Sequence, residues 1–314
     1  MGVNEFKITV ADGTTLEVKL NKAKKERVGI VHLLHGMAEH MDRYDSLIES
    51  LNQQGYDVLR HNHRGHGKDI EVFERGHIDN MEHIADDTYE IAQTLYSNDT
   101  NTPYIILGHS MGSIVSRIFT QKYPDVAQGM ILSGTMQYPK FLGKLIQICL
   151  KIVTLITGKR RRLKWLNQIM YKSFNKNIKN NKSNNDWLSS DVEEVKKFEK
   201  DPYTGFLVSN QLIYETVKHM LLTSRLKNIK KMQSEMPILL ISGKEDAIGN
   251  YGKGIRHLGR LYKKGNIQHI TVHLYKNKRH EVLFERDSIT TWHHMYDWIE
   301  KQILKRIERV DTSA

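Results

Sequence analysis

The sequence predicts an α/β fold in which helices cover both faces of a mostly parallel sheet. Short apolar runs alternate with segments of helical periodicity, which is typical of successive strand–helix units. Residues 28–34 are apolar almost without interruption, as expected of a strand that is buried on both faces. The motif Gly-His-Ser-Met-Gly, residues 108–112, lies between an apolar run and a helical segment. These three observations place a serine at a strand-to-helix turn of such a sheet.

The first part of the chain supplies most of the predicted sheet. Two short strands joined by a Gly-containing turn come first, and strands and helices alternate after them. This order indicates parallel strands connected by helices that cross from one strand to the next. The strands are expected at residues 6–10, 16–18, 28–34, 56–59, 104–107 and 130–133, and the helices around residues 47–51, 84–95 and 113–119.

The alternation stops after Pro139 and resumes near residue 237. Residues 141–226 show only helical segments and polar loops, among them the basic run 159–164. Strands then follow at 237–243 and 270–275, with helices at 254–261 and 289–307. We therefore expect residues 1–138 and 230–314 to form the core, and residues 139–229 to form an inserted helical cap.

Composition restricts the class of protein. The chain has 314 residues, 39% hydrophobic and 26% charged, as in ordinary globular proteins, with a net charge of +11. This charge could attract anionic partners, but no nucleic-acid-binding motif accompanies it, so we expect no nucleic acid partner. Cys149 is the only cysteine, which excludes an intramolecular disulfide. No signal-peptide pattern and no membrane-spanning run are visible, so we expect a cytoplasmic location.

Three residues have the types and the order that serine catalysis requires. A serine hydroxyl becomes nucleophilic when a histidine takes its proton and a carboxylate orients that histidine. Ser110 lies in the turn described above, Asp246 follows the strand 237–243, and His280 follows the strand 270–275. The order Ser, Asp, His in loops after strands is that of α/β-hydrolases. We therefore predict a triad of Ser110, Asp246 and His280, with Glu245 as the rival carboxylate.

Acyl transfer also needs donors for the oxyanion that forms on the substrate carbonyl. One expected donor is the backbone N–H of Met111, directly after the serine. The other is expected in the loop after strand 28–34, where we predict the N–H of Met37. Gly36 would allow the backbone to approach closely at that point.

Four motifs together resemble the monoacylglycerol lipase and lysophospholipase group of α/β-hydrolases. They are His-Gly-Met-Ala-Glu-His at 35–40, Arg-Gly-His-Gly at 64–67, Gly-His-Ser-Met-Gly at 108–112 and Arg-His-Glu at 279–281. The similarity runs over nearly the whole chain, and Asp-Pro-Tyr-Thr-Gly at 201–205 is similar to part of that group's cap.

This resemblance implies roles for individual residues. Ser110 would be the nucleophile, His280 the base and Asp246 its partner in preference to Glu245, with Met37 and Met111 as amide donors. It also implies that the cap supplies a groove for an acyl chain. Two positions depart from the group's pattern: Asn62 stands where Asp is usual, and Lys68 where Ser is common.

A histidine-rich segment raises the alternative of a metal site. Residues 61–66, His-Asn-His-Arg-Gly-His, are similar to the metal-binding cluster of metallo-hydrolases. That cluster has an Asp just before its third His, where this chain has Gly65. We therefore favour a role in ordering a loop, and we expect neither a metal nor a cofactor.

The function predicted is hydrolysis of monoacylglycerol or lysophospholipid-type esters through an acyl-serine intermediate. A short-chain carboxylesterase of broad specificity is the alternative enzyme, and a non-catalytic ligand-binding protein on the same fold is the alternative of another class. The apolar segment 142–156 and the basic run 159–164 leave open a weak peripheral contact with membranes. The oligomeric state stays open.

Overall fold

One sheet of eight strands organises the molecule. The computed structural model describes residues 3–97, 99, 101–179 and 181–307. The strand order across the sheet is β1-β2-β4-β3-β5-β6-β7-β8. The strands are β1 Val3–Thr9, β2 Thr15–Asn21, β3 Gly29–Leu34, β4 Tyr56–His61, β5 Tyr104–His109, β6 Gly129–Ser133, β7 Ile238–Gly243 and β8 Ile270–Tyr275.

The predicted parallel sheet is confirmed. β2 pairs antiparallel with β1 and β4, whereas the pairs from β4 through β3, β5, β6 and β7 to β8 are parallel. Every residue of β3, β4, β5, β6 and β7 is buried, as the apolar runs predict. Because the parallel strands share one direction, the loops after them open at a single edge.

Helices cover both faces of this sheet. Alternate strand residues point to opposite sides, so Ile30 packs in one apolar cluster and its neighbour Val31 in another. The helices of the first and last parts of the chain are α1 Asp45–Gln53, α2 Met81–Tyr96, α3 Met111–Lys122, α9 Lys253–Lys264 and α10 Ser288–Ile299. A 3₁₀ turn, Met41–Tyr44, precedes α1, and the expected helix 289–307 continues beyond α10 as a π-helical turn, Glu300–Leu304.

The segment between β6 and β7 contains helices and, among its described residues, no strand. Residues 139–229 are called the cap segment below, and their bounds as a separate unit stay a prediction. Its helices are α4 Lys140–Thr157, α5 Lys164–Asn175, α6 Val192–Lys200, α7 Asn210–Thr223 and α8 Leu226–Ile229. In the part of the chain that the structure describes, no helix is long and apolar enough to cross a membrane.

Arg117 ties both connections of the cap segment to α3. This side chain is completely buried and donates to the carbonyl oxygens of Met136, at 3.2 Å, and Met220, at 3.1 Å. It also donates to the Ser224 hydroxyl at 2.6 Å. One guanidinium thus joins the chain where it leaves the core to the chain where it returns.

Candidate active site

The serine turn, residues 108–112, holds Ser110 in a conformation that few residues with a side chain adopt. Ser110 has φ +51° and ψ −114°, and its N–H donates to Ser133 O at 2.9 Å. Gly108 and Gly112 are required here by crowding. A Cβ at Gly112 would lie 2.1 Å from Leu34 O, and one at Gly108 would lie 2.4 Å from Gly112 O. Strand β5 and helix α3 can therefore meet at this sharp angle only with glycine at both positions.

Asp246 and His280 meet at the same edge of the sheet. Both are buried, and His280 Nδ1 lies 3.2 Å from each oxygen of the Asp246 carboxylate. That carboxylate also accepts hydrogen bonds from the Ser242 hydroxyl and the Ile248 N–H, both at 2.9 Å. Glu245, by contrast, is exposed to solvent. The geometry therefore favours Asp246 over its neighbour as the partner of His280.

The hydrogen bonds around Asp246 keep it ionised. Burial alone would raise the pKa of its carboxyl, but the adjacent His280 ring and the donors that surround it outweigh burial and lower that pKa. His280 Nδ1 then carries the hydrogen that Asp246 accepts, which leaves Nε2 free to accept a proton. This Nε2 atom is buried without a hydrogen-bond partner among the described residues, and His280 lines the same cavity as Ser110.

The loop after β3, residues 35–40, lies directly against the serine turn and is called the β3 loop. A Cβ at Gly36 would lie 3.2 Å from Ser110 Cβ, so the absence of a side chain permits this approach. Met37 and Met111 both line the cavity beside Ser110. Their amides donate no hydrogen bond within the described part of the chain, so both are free to bind a ligand oxygen.

A buried network of charges lies beneath the β3 loop. Arg43 donates to Glu281 with both terminal nitrogens, at 2.7 and 3.0 Å, and it also contacts Glu39. Glu39 accepts hydrogen bonds from the Gly36 N–H and from the Tyr44 hydroxyl. The spacing of Glu39 and Arg43 suggests an ion pair, whereas the role of Glu281 has no signal beyond its place next to His280.

Arg43 is the positive partner of two buried carboxylates, those of Glu39 and Glu281. Burial would raise the pKa of Glu39, but the Arg43 guanidinium lowers it to about 2. Burial raises the pKa of Glu281 in spite of the same guanidinium. Because Glu281 follows His280 directly, the network connects the loop of His280 to the β3 loop. Removal of Arg43 would leave two buried carboxylates without a counter-charge.

A chain of buried histidines supports the β3 loop from the sheet. The Tyr104 hydroxyl contacts His32 Nδ1, His32 Nε2 lies 3.0 Å from His61 Nδ1, and His61 Nε2 lies 3.2 Å from His63 Nδ1. His63 Nε2 then donates to His35 O at 3.1 Å. Burial lowers the pKa of His32, His61 and His63, so these three rings are neutral. Since the His35 carbonyl can only accept, His63 donates through Nε2, and His61 and His32 must then donate through Nε2 as well.

These contacts explain the histidine-rich segment as a loop support. The side chains that suggested a metal site make hydrogen bonds to one another and to the backbone. Within the ranges given above, no three His, Cys, Asp or Glu side chains are grouped so as to hold a metal ion. Asn62 accepts from the Met41 N–H at 3.0 Å and donates to Glu17 at 2.6 Å, while Lys68 pairs with Asp42 at 3.3 Å. Both departures from the group's pattern thus contact loop and strand residues.

The cavity above Ser110 is mostly apolar. Residues of the cap segment form much of its wall, and two of them also hold the loop of His280: Trp187 O accepts from the His280 N–H at 3.4 Å, and Leu188 O accepts from the Glu281 N–H at 2.7 Å. The apolar lining consists of Met37, Met111, Ile114, Met136, Met170, Tyr171, Phe174, Trp187, Leu188, Phe198 and Ile248.

A parallel sheet with a serine at a strand-to-helix turn, and with Asp246 and His280 in later loops, defines the α/β-hydrolase class. A family model named Hydrolase_4 and described as serine aminopeptidase, S33, matches residues 25–287. The chain therefore belongs to this family.

Named relatives agree with the resemblance that the motifs predict. The chain is 24% identical over 302 residues to a monoglyceride lipase of Rattus norvegicus, covering 93% of this chain and 89% of that protein. It is 24% identical over 287 residues to a probable lysophospholipase L2 of Haemophilus influenzae, covering 82% of this chain and 78% of that protein. The predicted membership of the group of monoacylglycerol lipases and lysophospholipases is confirmed.

Solved structures share the architecture. A thermostable carboxyl esterase from Bacillus coagulans has a TM-score of 0.87 at 25% identity, covering 96% of this chain and 99% of that one. A soluble variant of the Saccharomyces cerevisiae monoglyceride lipase has a TM-score of 0.75 at 20% identity, covering 96% of this chain and 95% of that one. The second likeness shows the fold alone.

Because these histidines are neutral in the folded protein, its stability should fall in mild acid. Burial lowers the pKa of His35 and His61 to about 3, and that of His66 to about 4. Unfolded histidines titrate near pH 6.5, so the unfolded chain takes up these protons first as the pH falls. The free energy of unfolding should therefore decrease from about pH 6.5 downwards, by up to about 1.4 kcal/mol per pH unit for each histidine.

Urea denaturation at about pH 7.5, 6 and 5 measures this dependence, in a range where carboxylates of the unfolded chain stay ionised. In a His66→Gln variant the amide oxygen can still accept a hydrogen bond, but one titrating group is lost. The change of the free energy of unfolding with pH should then correspond to the uptake of about one proton fewer on unfolding. A free energy of unfolding that is constant between about pH 7.5 and 5 would contradict the neutral-histidine interpretation.

Proposed function

We propose that this protein is a serine hydrolase that cleaves carboxylic esters with an apolar acyl chain, of the monoacylglycerol or lysophospholipid type. The observation that carries the proposal is that Ser110, Met37, Met111 and His280 line one apolar cavity, with His280 Nε2 unpartnered among the described residues. Family membership and the named relatives support the same reaction class.

In the proposed reaction Ser110 Oγ attacks the ester carbonyl while His280 Nε2 takes the hydroxyl proton. Asp246 keeps the hydrogen on Nδ1 and stabilises the charged imidazole. The N–H groups of Met37 and Met111 donate to the carbonyl oxygen as it becomes negative, and each such donor contributes about 3 kcal/mol in related sites.

Collapse of the tetrahedral intermediate breaks the bond to the alcohol, which leaves with the proton from His280. A water molecule then gives a proton to His280 Nε2 and attacks the acyl group on Ser110. The second tetrahedral intermediate expels Ser110 Oγ, which regains its proton, and the carboxylic acid is released. The proposed chemistry needs no metal and no cofactor.

The apolar wall of the cavity supports a substrate with a long acyl chain. Helix α5 of the cap segment contributes Met170, Tyr171 and Phe174, and the loop after β7 contributes Ile248. Burial of each methylene of a chain in such a wall is worth about 0.8 kcal/mol. An acyl chain of several carbons would gain affinity that an acetyl group cannot.

The outer surface of the cap segment supports a substrate presented in lipid. Helices α4 and α5 expose large apolar side chains to solvent, and no acidic residue occurs between Lys140 and Lys164. Apolar residues with a basic surround are typical of surfaces that contact anionic lipid. The exposed apolar residues are Phe141, Leu142, Leu145, Ile148, Ile152, Leu155, Ile156, Trp165 and Ile169.

A carboxylesterase of broad specificity is the second candidate, and the likeness to the Bacillus coagulans carboxyl esterase favours it. Chain-length preference separates it from a lipase. A non-catalytic ligand-binding protein stays the alternative of another class. The absence of nucleic acid partners and the cytoplasmic location stay predictions.

Replacement of the nucleophile should abolish ester hydrolysis. In Ser110→Ala no hydroxyl remains to form the acyl intermediate, so kcat should fall by about a millionfold without loss of the folded state. Hydrolysis of a p-nitrophenyl ester, with circular dichroism as the folding control, measures both. Retained turnover in this variant would overturn the assignment of Ser110, and an inactive wild type would favour the ligand-binding alternative.

The two adjacent carboxylates provide a matched pair of variants. Asp246→Asn should lower kcat by about 10⁴-fold because the amide no longer holds His280 in the required tautomer. Glu245→Gln makes the same chemical change one residue earlier, on an exposed side chain, and should leave kcat unchanged. The reverse result would assign the acid to Glu245.

The apolar cavity predicts a preference for long acyl chains. Across p-nitrophenyl esters from acetate to palmitate, kcat/KM should rise with chain length, by about fourfold for each methylene that is buried. Monoacylglycerol and lysophosphatidylcholine, assayed beside them, separate the two lipid substrates. Activity confined to acetyl and butyryl esters would refute the lipid proposal and favour the carboxylesterase.

The exposed cap surface can be examined with the same substrates. The double variant Ile152→Ser, Leu155→Ser changes two solvent-exposed side chains that are not part of the cavity lining. It should reduce turnover of monoacylglycerol in anionic vesicles and leave turnover of a soluble short ester unchanged. Equal turnover of vesicle substrate by variant and wild type would exclude a role for this surface.

A further inference from the structure

Ala38, in the β3 loop, has a backbone conformation that must be held by its surroundings. Its φ is +55°, in the left-handed region, and its side chain is buried. This conformation costs a residue with a Cβ atom free energy relative to the right-handed region. Ala38 follows Met37, which lines the cavity beside Ser110. Relaxation of Ala38 would therefore displace the peptide planes at the proposed oxyanion site.

Both backbone polar groups of Ala38 make hydrogen bonds. Its N–H donates to His66 Nε2 at 3.2 Å, and His66 Nδ1 donates to Arg64 O at 2.9 Å, which fixes the tautomer of that ring. Its carbonyl oxygen accepts from the Gly205 N–H at 2.9 Å. The first partner belongs to the core, but the second belongs to the cap segment.

Gly205 ends a tightly folded turn of the cap segment, residues 201–205, called the cap turn below. Asp201 Oδ1 accepts from the Tyr203 N–H at 2.8 Å, and Asp201 O accepts from the Thr204 N–H at 3.3 Å. Gly205 has φ +64°, and a Cβ there would lie 3.2 Å from the Phe198 ring. The turn therefore presents the Gly205 N–H from a fixed position.

A second contact joins the cap turn to the other end of the β3 loop. His40 Nε2 lies 2.8 Å from Asp201 Oδ2, and His40 Nδ1 accepts from the Asp42 N–H at 3.3 Å. Since Nδ1 accepts, Nε2 carries the hydrogen that Asp201 receives. Asp201 thus organises its own turn with one oxygen and holds His40 with the other.

We propose that the cap turn is a positioning element of the oxyanion site: Gly205 and Asp201 of the cap segment hold Ala38 and His40, and thereby hold the Met37 amide in place for the transition state. The inference rests on the proposed function, since it assigns Met37 to the oxyanion. It makes the cap segment a participant in catalysis as well as a wall of the substrate cavity. Asp201, His40 and His66 are positioning residues, and none of them touches the reacting atoms.

Asp201→Ala tests this coupling. Loss of one oxyanion donor lowers kcat by about 100- to 1000-fold, and a donor that is loosened should cost less, about tenfold. KM for a soluble ester should change by less than about threefold, because the ground-state carbonyl depends little on this amide. The inhibition constant of a trifluoromethyl ketone, which forms a tetrahedral adduct with the serine, should rise in parallel with the loss of kcat.

Hydrogen–deuterium exchange provides a readout that does not depend on activity. Peptides covering residues 35–44 should exchange faster in Asp201→Ala than in wild type. Asp191→Ala is the matched control, because Asp191 also lies in the cap segment but caps helix α6 through the Glu193 N–H. It should leave both kcat and exchange in residues 35–44 unchanged. Asp201→Asn, which keeps one acceptor oxygen, should recover part of both effects.

The outcomes separate the two proposals. Ser110→Ala should lose turnover with unchanged exchange in residues 35–44, and its failure to lose turnover would count against the proposed function alone. Unchanged exchange in Asp201→Ala would overturn the coupling whether or not the protein hydrolyses esters. A rise in KM with unchanged kcat would overturn it as well, because it would place Asp201 in substrate binding.

Discussion

The close backbone contact between the start of α3 and the end of β3 sets the geometry around Ser110. Gly112 packs directly on the carbonyl oxygens of Leu34 and His35, where no side chain would fit. This contact turns Ser110 out of the sheet and brings the β3 loop beside it. Met111 and Met37 then line one cavity beside Ser110. The strained φ of Ser110 is stable because strand, helix and loop all constrain it.

Buried polar groups maintain this arrangement, and each depends on its partners. Arg43 neutralises carboxylates that come from the β3 loop and from the loop of His280. The chain of neutral histidines from the sheet donates to the same loop, and the cap turn donates to it from the cap segment. Unpaired buried charges or donors would cost more than these pairs contribute, so the network specifies one arrangement of the loop. The site is therefore supported by three sets of groups that do no chemistry themselves: the Arg43 network, the buried histidines and the cap turn.

The sequence predicted the sheet, its helices and the meeting of Asp246 with His280, because local patterns determine these features. Apolar runs follow the strands closely, and the loops after parallel strands must open at one edge. It predicted the histidine-rich segment as loop support, but not the path of hydrogen bonds from Tyr104 to His35. That path, like the pairing of Glu281 with Arg43 and of Gly205 with Ala38, joins residues far apart in the chain. No periodicity or spacing records such contacts, since they arise only when the chain is packed.

Ser110 and the amides of Met37 and Met111 should act on one carbonyl group, the serine on its carbon and the amides on its oxygen. A crystal structure of the protein after reaction with a long-chain alkyl fluorophosphonate would show whether they do. We expect phosphorus bonded to Ser110 Oγ, one phosphonyl oxygen within about 3 Å of both amide nitrogens, and the alkyl chain along the apolar wall of the cavity. Phosphorus on another residue, or a phosphonyl oxygen that turns away from both amides, would contradict this expectation.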